Sequence, residues 1–272
     1  MKKINLLFTA LLILVSLSCK KEVTTTTTTV NSLMPEMKQW AFMGETTSIT
    51  CSTCGYSGYN SFNLMKKNNS GKLIALAFHC NVEDAMSCNN LEWSYDASRP
   101  TGGGIPSFYI GDQQVYLSNL QPYIDTLLRR SPEAQLKFST VIVGTKMNVT
   151  SKIKFFKNVS GDYYVTYFLC ERGIDGSPTA PVGYVQTSGG VGYKHNNVVR
   201  AANTSTAYGV KITKAATTPL NTIFDYTCSI DIASTWIKTN LFVTGVIWKK
   251  NTVASATCQY VFVNGWDAQV YN

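Results

Sequence analysis

Leu73-Ile74-Ala75-Leu76-Ala77-Phe78 is an apolar run with no polar alternation. It has the length of a strand, and a strand apolar on both sides must be covered on both faces. A chain containing it therefore needs packed layers above and below a sheet. Upstream, Trp40-Ala41-Phe42-Met43 reads as a second strand, and Cys51-Ser52-Thr53-Cys54 comes shortly after it. Two cysteines separated by two residues can close a small disulfide or hold two metal-ligand sulfurs. Where a strand gives way to a helix they also work as a redox pair. At a helix N-terminus the unpaired N–H groups and the macrodipole stabilise a thiolate on the first sulfur. Phe62 and Met65 fall on one side of the segment after the motif, which predicts a helix there.

The first nineteen residues read as an export segment. Lys2 and Lys3 form a charged start, Ile4 to Leu17 is nearly all apolar, and small Ser18 precedes Cys19. The run is short for a membrane span. Ser18-Cys19 followed by Lys20-Lys21-Glu22 resembles the lipobox of a bacterial lipoprotein. That resemblance implies a lipidated Cys19 and membrane lipid as a partner. Residues 20–35 are polar and include the threonine run Thr24 to Thr29, so they read as a flexible tether.

Lys and Arg number 24 against 16 Asp and Glu, a net charge of +8. Removing Lys2 and Lys3 leaves 22 against 16, or +6. No basic cluster follows a phosphate backbone, so nucleic acid is excluded as a partner. Eight cysteines in an exported chain point to an oxidising compartment. With Cys19 lipidated, the remaining seven are an odd number. Cys80 with Cys88 and Cys228 with Cys258 are candidate structural disulfides, leaving Cys170 over. His79, Cys80 or Cys88 can also be combined with the CSTC pair into a zinc set, although the spacing matches no closed-site pattern. No cofactor is implied. His79 and His195 are the only histidines, neither lies in a nucleophile motif, and hydrolase mechanisms find no support.

Residues 36–133 read as the first domain. A polar insertion, Asn81 to Gly104, holds Cys88 and Trp93. Gly104-Ile105-Pro106-Ser107 then feeds the strand Phe108-Tyr109-Ile110. After it comes a helix capped by Ser118, with Leu120, Tyr123, Ile124, Leu127 and Leu128 at helical spacing. The order strand, CxxC, helix, strand, X-Pro, strand, helix resembles a thioredoxin fold. The resemblance implies a cis Pro106 packed beside the CxxC, with the Ile105 backbone offered to a bound peptide or thiol partner. It also implies that Glu45 is a buried acid exchanging protons with Cys54. Thr50 stands where that fold usually has tryptophan, and Ser52-Thr53 where it usually has Gly-Pro.

Residues 134–272 read as a second, all-β antiparallel sandwich domain. Lys152 to Lys157 and Tyr163 to Leu169 flank a hairpin signal at Ser160-Gly161-Asp162. Tyr208 to Thr213, Leu241 to Trp248 and Cys258 to Val263 continue the β-rich pattern. Within this half, Tyr193-Lys194-His195-Asn196-Asn197-Val198-Val199-Arg200 completes a second resemblance. A lipobox, a CxxC with Ile-Pro, and a later Tyr-x-His-Asn-x-Val-x-Arg are similar to one outer-membrane lipoprotein family. That family is named after a twenty-eight-kilodalton protein of Gram-negative anaerobes, and the resemblance spans most of residues 36–210.

These readings converge on a lipid-anchored outer-membrane protein with an α/β thioredoxin-like domain followed by a β-sandwich. Cys51, Cys54, Pro106 and Glu45 are its candidate catalytic residues, and thiol–disulfide exchange is the expected activity. The rival is a surface binding protein or adhesin in which CSTC is a structural disulfide. There the aromatic-rich β half, with Tyr163, Tyr164, Tyr167, Trp236, Trp248 and Trp266, binds a ligand.

Overall fold

Strands β1 (Ala41–Thr47) and β2 (Leu73–His79) pair in parallel, Ala41 opposite Leu73 and Thr47 opposite His79. Every residue of both is buried, as the unbroken apolar run requires. The computed structural model describes residues 33–88, 91, 104–252 and 258–268. The export segment, Cys19, nearly all of the tether and Trp93 lie outside them. Between β1 and β2 the chain makes a wide π turn at Cys54–Gly58 and then α1 (Tyr59–Asn68), which buries Phe62 and Met65. β3 (Ser107–Ile110) runs antiparallel to β1, and β4 (Gln113–Val115) folds back on it through Gly111, whose φ is +64°. α2 (Leu120–Leu128) buries Leu120, Ile124 and Leu127. Ser118 does not cap it: Asn119 occupies the N-cap, and no side chain bonds the first-turn amides.

The β-rich half supplies β5 (Ala134–Val143), β6 (Lys146–Phe155), β7 (Val159–Ser160), β8 (Tyr163–Glu171) and β9 (Ile174–Asp175). It continues with β10 (Lys194–His195), β11 (Val198–Ala202), β12 (Val210–Lys211) and β13 (Thr217–Thr218). β14 (Ile223–Asp231), β15 (Leu241–Lys250) and β16 (Tyr260–Asp267) complete it. The main sheet has the order β16-β15-β8-β11-β2-β1-β3-β4, with β12 also paired to β8. It is mixed: β1, β2 and β11 are parallel, and the rest pair antiparallel. A separate antiparallel sheet has the order β14-β6-β5.

The expected boundary between residues 133 and 134 therefore runs through one sheet. Its physical cause is β8, which is buried on both sides. Tyr163, Val165, Tyr167 and Leu169 face the core shared with β5 and β6. Phe168 and Cys170 face the core shared with β1, β2 and both helices. Phe78 meets Phe168 edge-on at 5.7 Å, and Phe42 meets Trp248 at 5.3 Å, so each half completes the other's packing. Burying side chains of this size stabilises by roughly 1.5–3 kcal/mol each.

The predicted hairpin across Ser160-Gly161-Asp162 does not form. β6 and β8 lie in different sheets, and the Gly161 turn, with φ at +95°, carries the chain between them. The aromatics that suggested a binding face are largely core. Tyr163, Tyr167 and Trp248 are fully buried, while Tyr164, Trp236 and Trp266 are half-buried.

Candidate active site

Cys51 and Cys54 are joined in a disulfide, with their α-carbons 5.2 Å apart. Ser52 and Thr53 are already helical, so Cys51 stands where the helix begins. The Cys54 amide lies 3.1 Å from Cys51 Sγ, and the Gly55 amide donates to the Cys51 carbonyl. On reduction the Cys54 N–H, at the start of the helix, is placed to stabilise a thiolate on Cys51. Cys51 is half-buried and Cys54 is buried. Cys51 Sγ lies 3.4 Å from the carbonyl oxygen of Ile105, and the Ile105–Pro106 peptide is cis. Outside the motif, Thr53 and Pro106 line a cleft of about 650 Å³ with Phe108, Val115, Tyr116 and Leu117. Tyr116 is 86% exposed at its rim.

Beneath Cys54 is a chamber of about 20 Å³, room for a single water molecule. Glu45, Cys54, Tyr59, His79, Tyr193 and His195 are among the side chains that line it. Glu45 is 4% exposed, and its Oε1 has no hydrogen-bond partner among the described residues. Burial pushes its carboxyl up to about 8, because water no longer solvates the charged form. The end of the π turn comes close to it: a Cβ on Gly58 would lie 2.9 Å from Glu45 Oε1 and 3.2 Å from Pro106 Cβ. Glu45, Cys54 and Pro106 are thus gathered around one glycine.

The walls are held by polar anchors. His79 Nδ1 and Asp84 Oδ2 are 2.7 Å apart, and Asp84 also accepts from the Ile49 and Met86 amides. Burial opposes the Asp84 charge, but the His79 contact and those two amides outweigh it and hold the carboxyl below its ordinary range. His195 stands edge-on to His79 at 5.2 Å, with Nε2 2.9 Å from the Tyr184 carbonyl. Burial holds its imidazole down to about 4.

The β-rich half reaches the CxxC directly. Gln186 Nε2 donates towards the carbonyls of Cys51, Ser48 and Ile49 at 3.0 to 3.2 Å. The Thr187 amide donates to the Ile49 carbonyl. Tyr193 packs on Tyr59, ring centroids 4.3 Å apart. Asn197 donates from Nδ2 to the Ala75 carbonyl and accepts from the Ala77 amide and from Lys66 Nζ, tying the segment to β2 and α1. Arg200, the last residue of that sequence motif, is buried against Glu171 and stacks over Trp236.

The structure brings together four of the residues singled out in the sequence, Cys51, Cys54, Glu45 and Pro106. Cys19 lies outside the described residues. Among the described residues no three His, Cys, Asp or Glu side chains converge as metal ligands. His79 is turned to Asp84, and Cys80 donates to the Thr47 carbonyl. The expected Cys80–Cys88 and Cys228–Cys258 bridges are not formed. Cys228 sits in β14 of the separate sheet, whereas Cys258 precedes β16 of the main one. Sequence reasoning missed Tyr59, Gln186 and Thr187, and named Tyr193 only as the first residue of a motif, with no link to the CxxC. Its one signal for them was Gly55 and Gly58 early in a helix, where bare backbone invites close approach.

A CxxC that opens a helix, lies beside a cis-proline and stands over a buried acid is a CxxC thioredoxin-like site. In whole-chain superposition, the protein resembles HBP35 of Porphyromonas gingivalis. The TM-score is 0.66 at 13% identity, over 86% of this chain and 76% of that one. That likeness is one of fold. The curli protein CsgC of E. coli aligns with 49% of this chain at 12% identity, and its TM-score of 0.22 carries no argument. No family model and no curated protein matches the sequence.

Proposed function

We propose that this protein is a thiol–disulfide exchange protein of the cell envelope. Its thioredoxin-like part is extended by a β-rich part that forms a sandwich over the far end of the same sheet. The observation that carries the reading is the shared surroundings of the disulfide. Cys51 Sγ lies against the Ile105–Pro106 cis peptide, whose Pro106 lines the cleft, while Cys54 and Glu45, its carboxyl raised to about 8 by burial, line one small chamber. A scaffold disulfide needs neither.

Starting from the disulfide, a thiolate of a partner dithiol attacks Cys51 Sγ. The Cys51–Cys54 bond breaks, and the electron pair leaves on Cys54, which takes the Glu45 proton. The partner's second thiolate then attacks the mixed disulfide, so the partner ends as a disulfide and Cys51 leaves as a thiolate. Two electrons pass from partner to protein, and the reverse sequence reduces a partner disulfide. The exposed cleft beside Pro106 suits an extended chain approaching Cys51.

The sequence supports the envelope location through Lys2-Lys3, the apolar run and Ser18-Cys19. On this reading Cys19 anchors the chain to membrane lipid, in keeping with the resemblance to the outer-membrane lipoprotein family. Cys19→Ala would then abolish fatty-acid labelling and release the protein to the soluble fraction; unchanged fractionation would remove the anchor from the proposal. The exchange reading is tested with Cys54→Ser. After incubation with an oxidised model protein, mixed disulfides should accumulate at Cys51 and be absent from Cys51→Ser. If neither variant traps a partner and the wild type exchanges no faster than free thiol, the disulfide is structural and the rival binding role stands.

A further inference from the structure

The motif around Tyr193–Arg200 lies more than a hundred residues from the CxxC in sequence, yet two of its side chains border the disulfide. Tyr193 covers the Tyr59 ring at 4.3 Å and touches His195 edge-on at 5.1 Å. His195 is 4% exposed and meets His79 at 5.2 Å. With Glu45, Cys54 and Phe62, these rings line the chamber of about 20 Å³. The loop leading to Tyr193 is clamped in place, through Gln186 on the Cys51 carbonyl and Thr187 on Ile49. Among the described residues the Glu45 carboxyl has no hydrogen-bond partner at Oε1.

We infer that the Tyr193–His195 segment is a working part of the disulfide centre: it shields the chamber shared by Glu45 and Cys54 from bulk water and so governs proton exchange between them. Tyr193 and His195 are positioning residues in this role. The titratable groups facing the chamber are Glu45 and Cys54, Tyr59 from α1, His79 with Asp84 behind it from β2, and Tyr193 with His195 from the β-rich half. Burial keeps His195 neutral and Tyr193 protonated at neutral pH. Neither ring therefore offers Glu45 an opposite charge. They act by excluding water, the condition under which a lone carboxyl holds its proton. A protonated Glu45 is what a departing Cys54 thiolate needs, so the inference rests on the exchange reading for its purpose. Its physical content does not.

The experiment follows the Glu45 carboxyl by infrared difference spectroscopy across a pH titration of the full chain, with Glu45→Gln to identify the band. Tyr193→Ala should admit water and lower the midpoint of Glu45 protonation by about one pH unit or more. Tyr193→Phe, which keeps the ring, should leave the midpoint in place. If Tyr193→Ala fails to fold, Tyr193→Leu serves in its place, since leucine cannot cover Tyr59 as the ring does. An unchanged midpoint in a folded Tyr193→Ala or Tyr193→Leu overturns the inference, as does an equal shift in Tyr193→Phe. The readout requires no exchange activity, so failure of the exchange reading remains distinguishable. If exchange does occur, its pH profile should shift with the carboxyl midpoint in each variant.

Discussion

Gly55 of the helical turn after the disulfide lies directly against the carbonyl oxygen of Thr187: a Cβ on Gly55 would approach that oxygen to 2.3 Å. Gln186 Cγ would be 2.8 Å from the same atom. In an exposed helix, Gly→Ala is worth roughly 1 kcal/mol of added stability. Here the new methyl meets backbone that is itself bonded to Ile49, so the segment must move. Gly55→Ala is expected to destabilise by about 1–3 kcal/mol, measured by urea unfolding of the oxidised protein. A neutral or stabilising result would show that the Gln186–Thr187 loop yields easily and does not clamp the motif.

Glu45 makes a second prediction, in pH. Its folded carboxyl titrates at about 8, against an ordinary value of 4.5, because it is buried. The folded state therefore binds this proton more tightly than the unfolded chain does. Stability from this group is fully present below about pH 4.5 and is lost as pH rises to about 8. Glu45→Gln removes that dependence. Relative to wild type, the variant should gain stability across this window, by at most about 5 kcal/mol at its upper end. Parallel pH profiles of melting temperature for the two proteins would rule out a buried, protonated Glu45.

The legible parts of this fold are local. Leu73–Phe78 announced a strand covered on both faces, and the spacing of Cys51, Cys54 and Pro106 along the chain resembled a known order of elements. Tyr163–Cys170 carried the same two-sided apolar signature, but a sandwich strand alternates, and the run was read by its neighbours instead of its own pattern. The structure follows the pattern: β8 divides two cores, and strands from both sides of residue 134 share the main sheet. Asn197 and Gln186 were illegible for a different reason. Each bonds backbone carbonyls more than a hundred positions away, at Ala75 and at Ser48 to Cys51. A polar amide in a loop gives no local sign of such a partner. Glu45 entered only through the resemblance, since a single acid in an apolar strand has no periodicity of its own.

Asp84 should matter beyond its distance from the disulfide. Its carboxylate takes His79 on one side and the Ile49 and Met86 amides on the other, all buried. Removing the charge leaves those donors poorly satisfied, so Asp84→Asn should cost about 3 kcal/mol at neutral pH. The carboxyl is held below its ordinary value of 3.8. Its contribution is thus present above that pH and fades as pH falls through the folded value, and the gap between variant and wild type should close there. Because Ile49 lies two residues before Cys51, reduction of the disulfide by dithiothreitol should also be faster in Asp84→Asn. Equal stability of the two proteins from pH 7 down to 3 would show that the pair contributes nothing net.

Dividing the chain at residue 133 tests whether the two halves fold apart. In a fragment of residues 33–133, β2 loses its β11 partner at Val198, and Phe78 loses Phe168. Phe42 loses both Trp248 and Phe262, which stand 5.3 and 5.6 Å from it. The open edge of β2 would be long, flat and apolar, the kind of edge that pairs with other chains. The fragment is expected to aggregate or to unfold without a cooperative transition, while the intact chain unfolds in one step by both far-ultraviolet and tryptophan signals. A sharp, reversible transition in the fragment would mean that the CxxC part has a sufficient core of its own. The β-rich half would then be an attachment to the redox site, and the clamp formed by Gln186 and Thr187 would have to be dispensable for folding.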